Sequence, residues 1–254
     1  MNVLRERYLD RIGYAGPVAP DATTLHALQR AHVHAVPFEN LDVYAGVPVR
    51  FEPNALFQKI VAGRRGGFCY ELNGLFALLL EELGFAVERV SARVMKSDRI
   101  GPPFDHLALV VRLERPWLVD VGFGDSPIEP LDVESDDVQL RAASAYRLVP
   151  HAAGSLVQHR EEGRWVNDYL LDPTPQPIAA FGSMMHYHQS SPDSPFPHRR
   201  FVTRPTVGGR ITLAHDRLIR TTAEARTEEP LEDQAIPVAL AAHFDLRDVP
   251  VRGG

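Results

Sequence analysis

The sequence contains a single cysteine in 254 residues, which excludes an internal disulfide and is typical of a reducing compartment. It has no apolar run near the roughly 18 residues that a membrane helix needs. Its first residues, MNVLRERYLDRIGY, lack the apolar stretch of a secretion signal. Positive charge is also scarce, because 27 basic against 33 acidic residues give a net charge of −6. We therefore predict a soluble cytoplasmic protein, monomeric or homodimeric, with neither nucleic acid nor membrane as a partner.

Patterns that mark several kinds of ligand site are missing as well. The glycine-rich pieces GFG and VGG do not form a phosphate-binding fingerprint between a strand and a helix. The segments His32-Val33-His34 and His186-Tyr187-His188 would each place two imidazoles on one face of a strand. No cysteine or paired carboxylate completes such a set, so we predict no metal. The C-terminal third is locally basic, which indicates either a solvated face or a place for an anionic cofactor tail; its arginines include Arg199, Arg200, Arg204 and Arg210.

The residues that are present fall into two textures. Up to about residue 85 apolar residues recur at helical spacing, most clearly from Cys69 to Leu83, and Gly84 follows as a stop. After that point AVERVSARVM, DHLALVVRL and PWLVDVGFG have strand length and composition. YRLV and RWVNDYLL predict a strand pair across Glu161-Glu162-Gly163, and LEDQAIPVALAAHFDL predicts a closing helix. Helices, then antiparallel strands, then a smaller mixed segment predict an α+β fold and not a parallel doubly wound sheet.

The cysteine stands between a glycine turn and the start of the predicted helix, in RRGGFCYELNGLF. Unpaired backbone N–H groups and the positive end of the helix dipole favour a thiolate there. Gly66 and Gly67 would let the chain turn sharply and leave the sulfur accessible. Two interpretations stay open from this stretch alone: Cys69 is a nucleophile, or it is a small buried hydrophobic residue.

A nucleophilic thiolate needs a base, and the base needs an orienting carboxylate. His106 begins an alternating strand, and Asp120 stands between Val119 and Val121 in the next one. If the two strands are antiparallel neighbours, the imidazole and the carboxylate lie side by side, which would satisfy a carboxylate in an apolar strand. The alternatives are that His106 is a half-buried strand residue and Asp120 a capped turn residue before Gly122.

These motifs together resemble the arylamine N-acetyltransferase family. The resemblance lies in AVPFENLDV (35–43), RGGFCYELNGLF (65–76), HLALVV (106–111) and DVGFGD (120–125), in the family's order and spacing. LDPTPQP and SSPDSPF (190–196) are similar to later landmarks, so the resemblance spans nearly the whole chain. The chain departs from the pattern before Pro192. Many members have a Ser-Thr-His run preceded by an asparagine there, whereas this chain reads MHYHQSS.

The resemblance implies a helical bundle over residues 1–85, a β-barrel-like domain over 86–190 and an α/β lid over 191–254. It implies a papain-like catalytic triad of Cys69, His106 and Asp120 on a cysteine-triad core. It also implies acetyl-CoA as co-substrate and acyl donor, with no metal. An arylamine, an arylhydrazine or an N-hydroxyarylamine would be the acceptor in a ping-pong acyl transfer through an acetyl-cysteine.

Two sets of residues next to the motifs are candidates for binding. A flat apolar acceptor needs an aromatic pocket, and the candidates are Phe38, Phe68, Phe123 and Phe196. Each is also a candidate for ordinary core packing. The glycines of the segment 122–126 allow close backbone approach, so we expect it to pass near the CoA pyrophosphate. The candidate CoA-binding residues are Gly122, Gly124 and Ser126.

Three alternatives keep the same residues and change the chemistry. One is an amide synthase of the same fold that acts on a polyketide-bound aryl amine. Another is a cysteine hydrolase or a transglutaminase-like enzyme, with water or lysine as acceptor. The third is a binding module with a buried, unreactive cysteine. The natural acceptor, the acyl-chain preference and the oxyanion donors do not follow from the sequence.

Overall fold

A computed structural model describes residues 3–96, 99–141 and 144–250. No helix within these ranges is long and apolar enough to cross a membrane. The α-helices of the described residues are α1 (Val3–Arg11), α2 (Ala22–Ala35), α3 (Leu41–Tyr44), α4 (Pro53–Phe57), α5 (Cys69–Glu82), α6 (Gly182–Ser190) and α7 (Ile236–Phe244). The strands are β1 (Phe38–Glu39), β2 (Ala86–Lys96), β3 (Arg99–Ile100), β4 (His106–Arg112), β5 (Pro116–Val119), β6 (Leu131–Asp132), β7 (Gln139–Arg141), β8 (Ser144–His151), β9 (Gly154–Glu161), β10 (Arg164–Pro175), β11 (Phe201–Thr206), β12 (Gly209–Ala214), β13 (Arg217–Thr222) and β14 (Arg226–Pro230).

Helix α5 lies at the centre of the helical part, as the apolar stripe predicts. Most of its side chains are buried, and the stripe residues Leu72, Leu75, Phe76 and Leu79 have no exposed surface. The helix ends at Glu82, and Gly84 follows with φ of +91°, a conformation that glycine adopts without strain. Because α5 packs directly on β4, its first residue comes close to the strand that starts with His106.

The larger sheet is antiparallel throughout, in the order β6-β5-β4-β2-β10-β9-β8-β7, with β3 paired to β2. Its two ends are joined by a side chain instead of a strand ladder. The Gln139 amide donates to the Asp132 carbonyl at 2.9 Å and accepts from the Asp132 N–H at 2.7 Å. The sheet is therefore a nearly closed barrel, and the fold is mixed α/β.

The alternation in β4 sorts its side chains into two cores, as the sequence predicts. Leu107, Leu109 and Val111 pack with the helices, whereas Ala108 and Val110 pack inside the barrel. His106 has the parity of Ala108 and Val110, and its ring packs against Tyr169 of the barrel core. The strand that carries His106 is thus the partition between the helical and the barrel interiors.

The predicted pairing of YRLV with RWVNDYLL is wrong. The turn at residues 161–163 connects β9 to β10, and β9 lies between β8 and β10 in the sheet. β9 has only one fully buried side chain, Val157, so the apolar pattern on which the prediction rested is absent there. Gly154 starts β9 with φ of +133° and forms the tight β8–β9 turn. This turn was not predicted from the sequence.

The smaller sheet has the order β1-β11-β12-β13-β14 and packs against α7. Its edge strand comes from the N-terminal part of the chain, with Phe38 opposite Thr203 and Glu39 opposite Val202. The domain boundaries at residues 85 and 190 stay a prediction. Strand β1 lies in the first predicted domain but pairs with a strand of the last one. The predicted closing helix is confirmed, as a short 3₁₀ turn followed by α7.

Candidate active site

Cys69 is the first residue of α5 and is 5% exposed. The turn before it is fastened by Glu71, whose carboxylate accepts the Phe68 N–H at 3.1 Å. The two glycines serve close packing more than exposure of the sulfur. A Cβ on Gly66 would lie 2.1 Å from the Pro37 carbonyl oxygen. The glycine turn therefore lets the chain before the helix press against its neighbours.

A network of ion pairs stabilises the turn before α5. Lys59 contacts Glu71 at 2.8 Å and Asp42 at 2.7 Å, while Arg65 contacts Glu39 at 2.7 Å and Asp42 at 2.8 Å. Burial raises the pKa of Glu71 to about 7, against the opposing effect of the Lys59 ammonium. Because Glu71 also holds the N-terminus of α5, the network fixes the start of the cysteine helix.

The structure brings His106 and Asp120 together beside that helix start. The β4–β5 ladder ends at Leu109 opposite Val119, one residue before Asp120. Nε2 of His106 lies 2.7 Å from Oδ2 of Asp120, and the two side chains are 2% and 0% exposed. This bond engages Nε2 and leaves Nδ1 as the other ring nitrogen, and Cys69 is near enough to raise the pKa of His106.

The Asp120 carboxylate accepts hydrogen bonds from other groups besides His106. Oδ1 accepts from Nδ2 of Asn73 and from the Gly122 N–H, both at 2.9 Å, and Oδ2 accepts from the Tyr169 hydroxyl at 3.0 Å. Burial would raise the pKa of Asp120, but the His106 ring and these donors outweigh it and lower the pKa. The carboxylate is therefore an anion in the interior of the protein.

The same balance decides the charge of the histidine. Burial alone would lower the pKa of His106, but the Asp120 carboxylate, and after it Cys69, raise this pKa to about 10. The ring is thus an imidazolium at neutral pH. An imidazolium within range of a cysteine at a helix N-terminus is the arrangement that activates a thiol as a nucleophile.

Asn73 and Gly122 connect the cysteine helix to the end of β5. Asn73 lies one helical turn after Cys69 and accepts the Val121 N–H at 2.9 Å, in addition to its bond to Asp120. A Cβ on Gly122 would lie 2.8 Å from Cα of Cys69 and from Nδ2 of Asn73. Only a glycine lets the end of the strand come this close to the nucleophile.

Three residues around Asp120 were not predicted from the sequence: Asn73, Tyr169 and Gln29. Asn73 could have been found, because a residue four positions after Cys69 shares its helix face. Tyr169 is far away in the sequence and comes close only because β10 pairs with β2. Gln29 of α2 accepts the Asp120 N–H at 3.3 Å, and nothing in its helical pattern marks it.

The four phenylalanines predicted to line the pocket lie in two places. Three of them pack together: the ring centroid of Phe196 lies 5.9 Å from that of Phe68 and 6.4 Å from that of Phe38. The fourth, Phe123, packs instead on His106, with 5.4 Å between the ring centroids. Phe68 has no exposed surface, whereas Phe123 and Phe196 are partly exposed. Phe123 and Phe196 are therefore the two that have surface free for a ligand.

The segment 122–126 is folded onto the smaller sheet. The Ser126 hydroxyl is buried and accepts the Phe123 N–H at 2.9 Å. Arg210 of β12 donates to the Gly124 carbonyl and forms an ion pair with Asp125 at 2.7 Å. Ser126 is thus already engaged, and Arg210 is a cation within reach of the predicted CoA segment.

Neither histidine segment considered for a metal is a strand. His32 and His34 lie in α2, and His186 and His188 lie in α6. Residues two apart on a helix point in different directions, so the imidazoles do not share a face. Within residues 3–96, 99–141 and 144–250, no group of three or more histidine, cysteine, aspartate or glutamate side chains could hold a metal ion.

Comparison with known proteins supports one family. A family model described as N-acetyltransferase matches residues 21–249. An arylamine N-acetyltransferase of Mycolicibacterium smegmatis is 41% identical over 208 residues, covering 79% of this chain and 74% of the relative. A protein of Salmonella typhimurium named arylamine N-acetyltransferase / N-hydroxyarylamine O-acetyltransferase is 34% identical over 202 residues, or 77% and 71% of the two chains. The structure of Mycobacterium marinum arylamine N-acetyltransferase in complex with CoA superposes with a TM-score of 0.89 at 32% identity, covering 95% of this chain and 92% of that one.

Proposed function

We propose that this chain, which belongs to the arylamine N-acetyltransferase family, transfers the acetyl group of acetyl-CoA to arylamines and arylhydrazines. It also acetylates the oxygen of N-hydroxyarylamines. The observation that carries the proposal is the His106–Asp120 pair, joined at 2.7 Å beside the cysteine that starts α5. Catalysis by Cys69, His106 and Asp120, on a papain-like core, is the finer part of the proposal.

The first half of the reaction moves the acetyl group onto the protein. The Cys69 thiolate attacks the acetyl carbonyl carbon of acetyl-CoA, and the carbon–sulfur bond to CoA breaks. The His106 imidazolium gives its proton to the departing CoA thiolate, so CoA leaves as a thiol and the ring becomes neutral. Asp120 keeps the ring oriented throughout. Because one thioester replaces another, this half is close to thermoneutral and reversible.

The second half moves the acetyl group onto the acceptor. The arylamine nitrogen attacks the acetyl-Cys69 carbonyl, and the neutral His106 takes the proton that the nitrogen loses. Cys69 leaves as a thiolate, which restores the starting ion pair with the His106 imidazolium. This half is downhill, because an amide replaces a thioester. Backbone N–H groups in the first turn of α5 are the donors we propose for the oxyanion.

For the two substrates we propose adjoining places beside Cys69. Phe196, with Phe38 and Phe68 behind it, and Phe123 form apolar walls for a flat acceptor. The backbone of the segment 122–126 approaches the CoA pyrophosphate through Gly122 and Gly124, and Ser126 shapes that turn. Arg210 supplies the positive charge that a pyrophosphate needs, once it is released from Asp125.

The test is to mix the intact protein with acetyl-CoA alone and then with a panel of anilines, hydrazines and aminobenzoates. We expect mass spectrometry to find one acetyl group on Cys69, and each active acceptor to increase the release of free CoA. Cys69→Ser should fold normally and release no CoA in either experiment. Full turnover by Cys69→Ser would rule out the acetyl-cysteine route.

The same experiment separates the alternatives, which the family does not favour. A hydrolase would release CoA at the same rate with and without an amine. A transglutaminase-like enzyme would remain unmodified by acetyl-CoA, and so would a binding module with an unreactive thiol. An amide synthase would accept the acyl group of its own polyketide chain and leave free anilines unused.

A further inference from the structure

A second buried acid–base pair lies on the other face of the strand that carries His106. Asp105 precedes β4 and His188 belongs to α6; they are 7% and 5% exposed. Nε2 of His188 lies 3.0 Å from Oδ1 of Asp105. Neither residue has a part in the acetyl transfer described above, and neither belongs to the motifs on which the resemblance rests.

Ser194 holds the His188 ring on the side away from Asp105. The Ser194 hydroxyl donates to the His188 carbonyl at 3.2 Å, and its oxygen lies 3.4 Å from Nδ1 of the ring. Nε2 is the ring nitrogen that faces the Asp105 carboxylate.

The contact between the two side chains is close but is not a well-aligned hydrogen bond. The Nε2 nitrogen is within ion-pair distance of Asp105, but it has no aligned hydrogen-bond partner among the described residues. A buried carboxylate is costly when unpaired, and His188 is the one basic side chain that the described residues bring within salt-bridge distance of it. Removal of the imidazole would therefore leave Asp105 without that partner in the interior.

The ring of His188 also joins the nucleophile side of the site to the aromatic wall. Its centroid lies 5.1 Å from the ring of Phe196 and 6.0 Å from the ring of Tyr70, the residue after Cys69. The Tyr70 hydroxyl donates to the Phe104 carbonyl at 2.7 Å, which ties this corner to the segment before β4. Any movement of His188 is thus transmitted to Phe196, because the two rings are in direct contact.

We propose that His188, paired with Asp105, is a positioning residue that holds Phe196 as a wall of the acceptor pocket. The binding of the acceptor then depends on the His188 side chain, whereas the acetylation of Cys69 does not. This inference rests on the proposed function, because it assigns Phe196 to the acceptor. It predicts a site in which one histidine serves the chemistry and a second one serves the shape of the pocket.

Among the described residues, Asp105 is the only carboxylate within salt-bridge distance of His188. Tyr70 comes from α5, Tyr187 from its own helix, and Ser194 and Phe196 from the segment that follows. Burial raises the pKa of Tyr70 well above its ordinary value, so this tyrosine stays neutral. Asp105 is therefore the residue to change together with His188.

The test compares His188→Gln with His186→Gln, a control on an exposed histidine of the same helix. The acceptor is an uncharged aniline. We expect His188→Gln to raise the KM for the aniline about tenfold, because the wall is no longer held, and to change CoA release in a single turnover without acceptor less than twofold. His186→Gln should match the unmodified protein in both measurements.

A double variant distinguishes positioning by the pair from a merely structural role of the imidazole. The double variant Asp105→Asn/His188→Gln keeps an amide pair and removes the carboxylate that the single variant leaves unpaired, so it should fold even if the single variant does not. Its KM for the aniline should be close to that of the unmodified protein.

Three results would overturn the inference: an unchanged KM in His188→Gln, a KM in the double variant that is raised as much as in the single variant, or an equal loss in the single-turnover release of CoA. Failure of the proposed function has a different signature. In that case the unmodified protein would not acquire an acetyl group on Cys69 at all.

Discussion

Two histidine–aspartate pairs in the barrel have the same length and opposite surroundings. His106 and Asp120 are joined at 2.7 Å, and so are His159 of β9 and Asp168 of β10. Asp120 is lined with donors, as the N–H groups of Asn73 and Gly122 show. Asp168 instead has other acids in its neighbourhood.

The different surroundings move the two carboxylates in opposite directions. The pKa of Asp120 is lowered by the His106 ring and the added donors, in spite of burial. Burial raises the pKa of Asp168 to about 6, and the charges of Asp125 and Asp120 push the same way against the help of His159. A short histidine–aspartate contact is therefore not sufficient for an activated base. The donors around the carboxylate, and a nucleophile on the far side of the ring, make the difference.

Replacing each aspartate by asparagine should separate the pairs most strongly. Asp120→Asn removes the anion that orients His106 and keeps it charged, so we expect kcat/KM for acetyl transfer to fall about 10³-fold or more. Asp168→Asn should change it less than about threefold, because no proposed step uses that carboxylate. Steady-state kinetics with one aniline measures both. Similar losses in the two variants would remove the distinction between the pairs.

The donors around Asp120 should account for a smaller share of the difference. Asn73→Ser removes an amide that holds both Asp120 and the Val121 N–H, and we expect a loss of roughly 10- to 100-fold in kcat/KM, as for a hydrogen bond to a charged group. The control is Asn167→Ser on β10, whose amide oxygen accepts from Gln158 near the second pair. That control should retain nearly full activity in the same assay. An equal loss in it would indicate a general packing effect.

The pH dependence of stability should also distinguish the His106–Asp120 pair. The pKa of His106 is about 10 in the folded protein, above its ordinary value of 6.5, so its pairing with Asp120 stabilises the fold fully below pH 6.5. That contribution is lost as the pH rises toward 10. The difference in unfolding free energy between the unmodified protein and Asp120→Asn should therefore shrink over this range, as measured by urea denaturation. A difference that stays constant with pH would contradict the ion pair.

The His159–Asp168 pair should have the smallest effect on stability, with the opposite dependence on pH. The pKa of Asp168 is raised from 3.8 to about 6, so ionising this carboxylate costs stability between those two pH values and above them. Asp168→Asn has no such cost. Its Tm relative to the unmodified protein should become more favourable as the pH is raised from 4 to 7, by a few degrees at most. A relative Tm that falls over this range would mean that His159 dominates the pair.

The sequence was most informative where one local pattern was enough. Helix α5 follows from its apolar stripe, and the alternation in β4 separates Leu107 from His106 as predicted. The side-by-side placement of His106 and Asp120 follows from two adjacent strands with a short connection. In each case the residues that had to be related are near one another in the chain.

Features that depend on distant segments were missed. β9 carries little apolar signal, because most of its side chains are partly exposed, and the edge strand β1 is completed only by β11. Asp105 and His188 are 83 residues apart by number, and nothing in either neighbourhood announces the other. The departure from the family pattern around His188 was visible, but the contact of His188 with Asp105 was not.

The strand β1 has a consequence for how the protein is made. Glu39 bonds to Gly67 on one side, and Phe38 pairs with Thr203 on the other, so this strand joins the cysteine turn to the smaller sheet. During synthesis Cys69 therefore leaves the ribosome well before the segment that completes its neighbourhood. Until the segment from Phe201 onward emerges, Phe38 and Glu39 lack their strand partner.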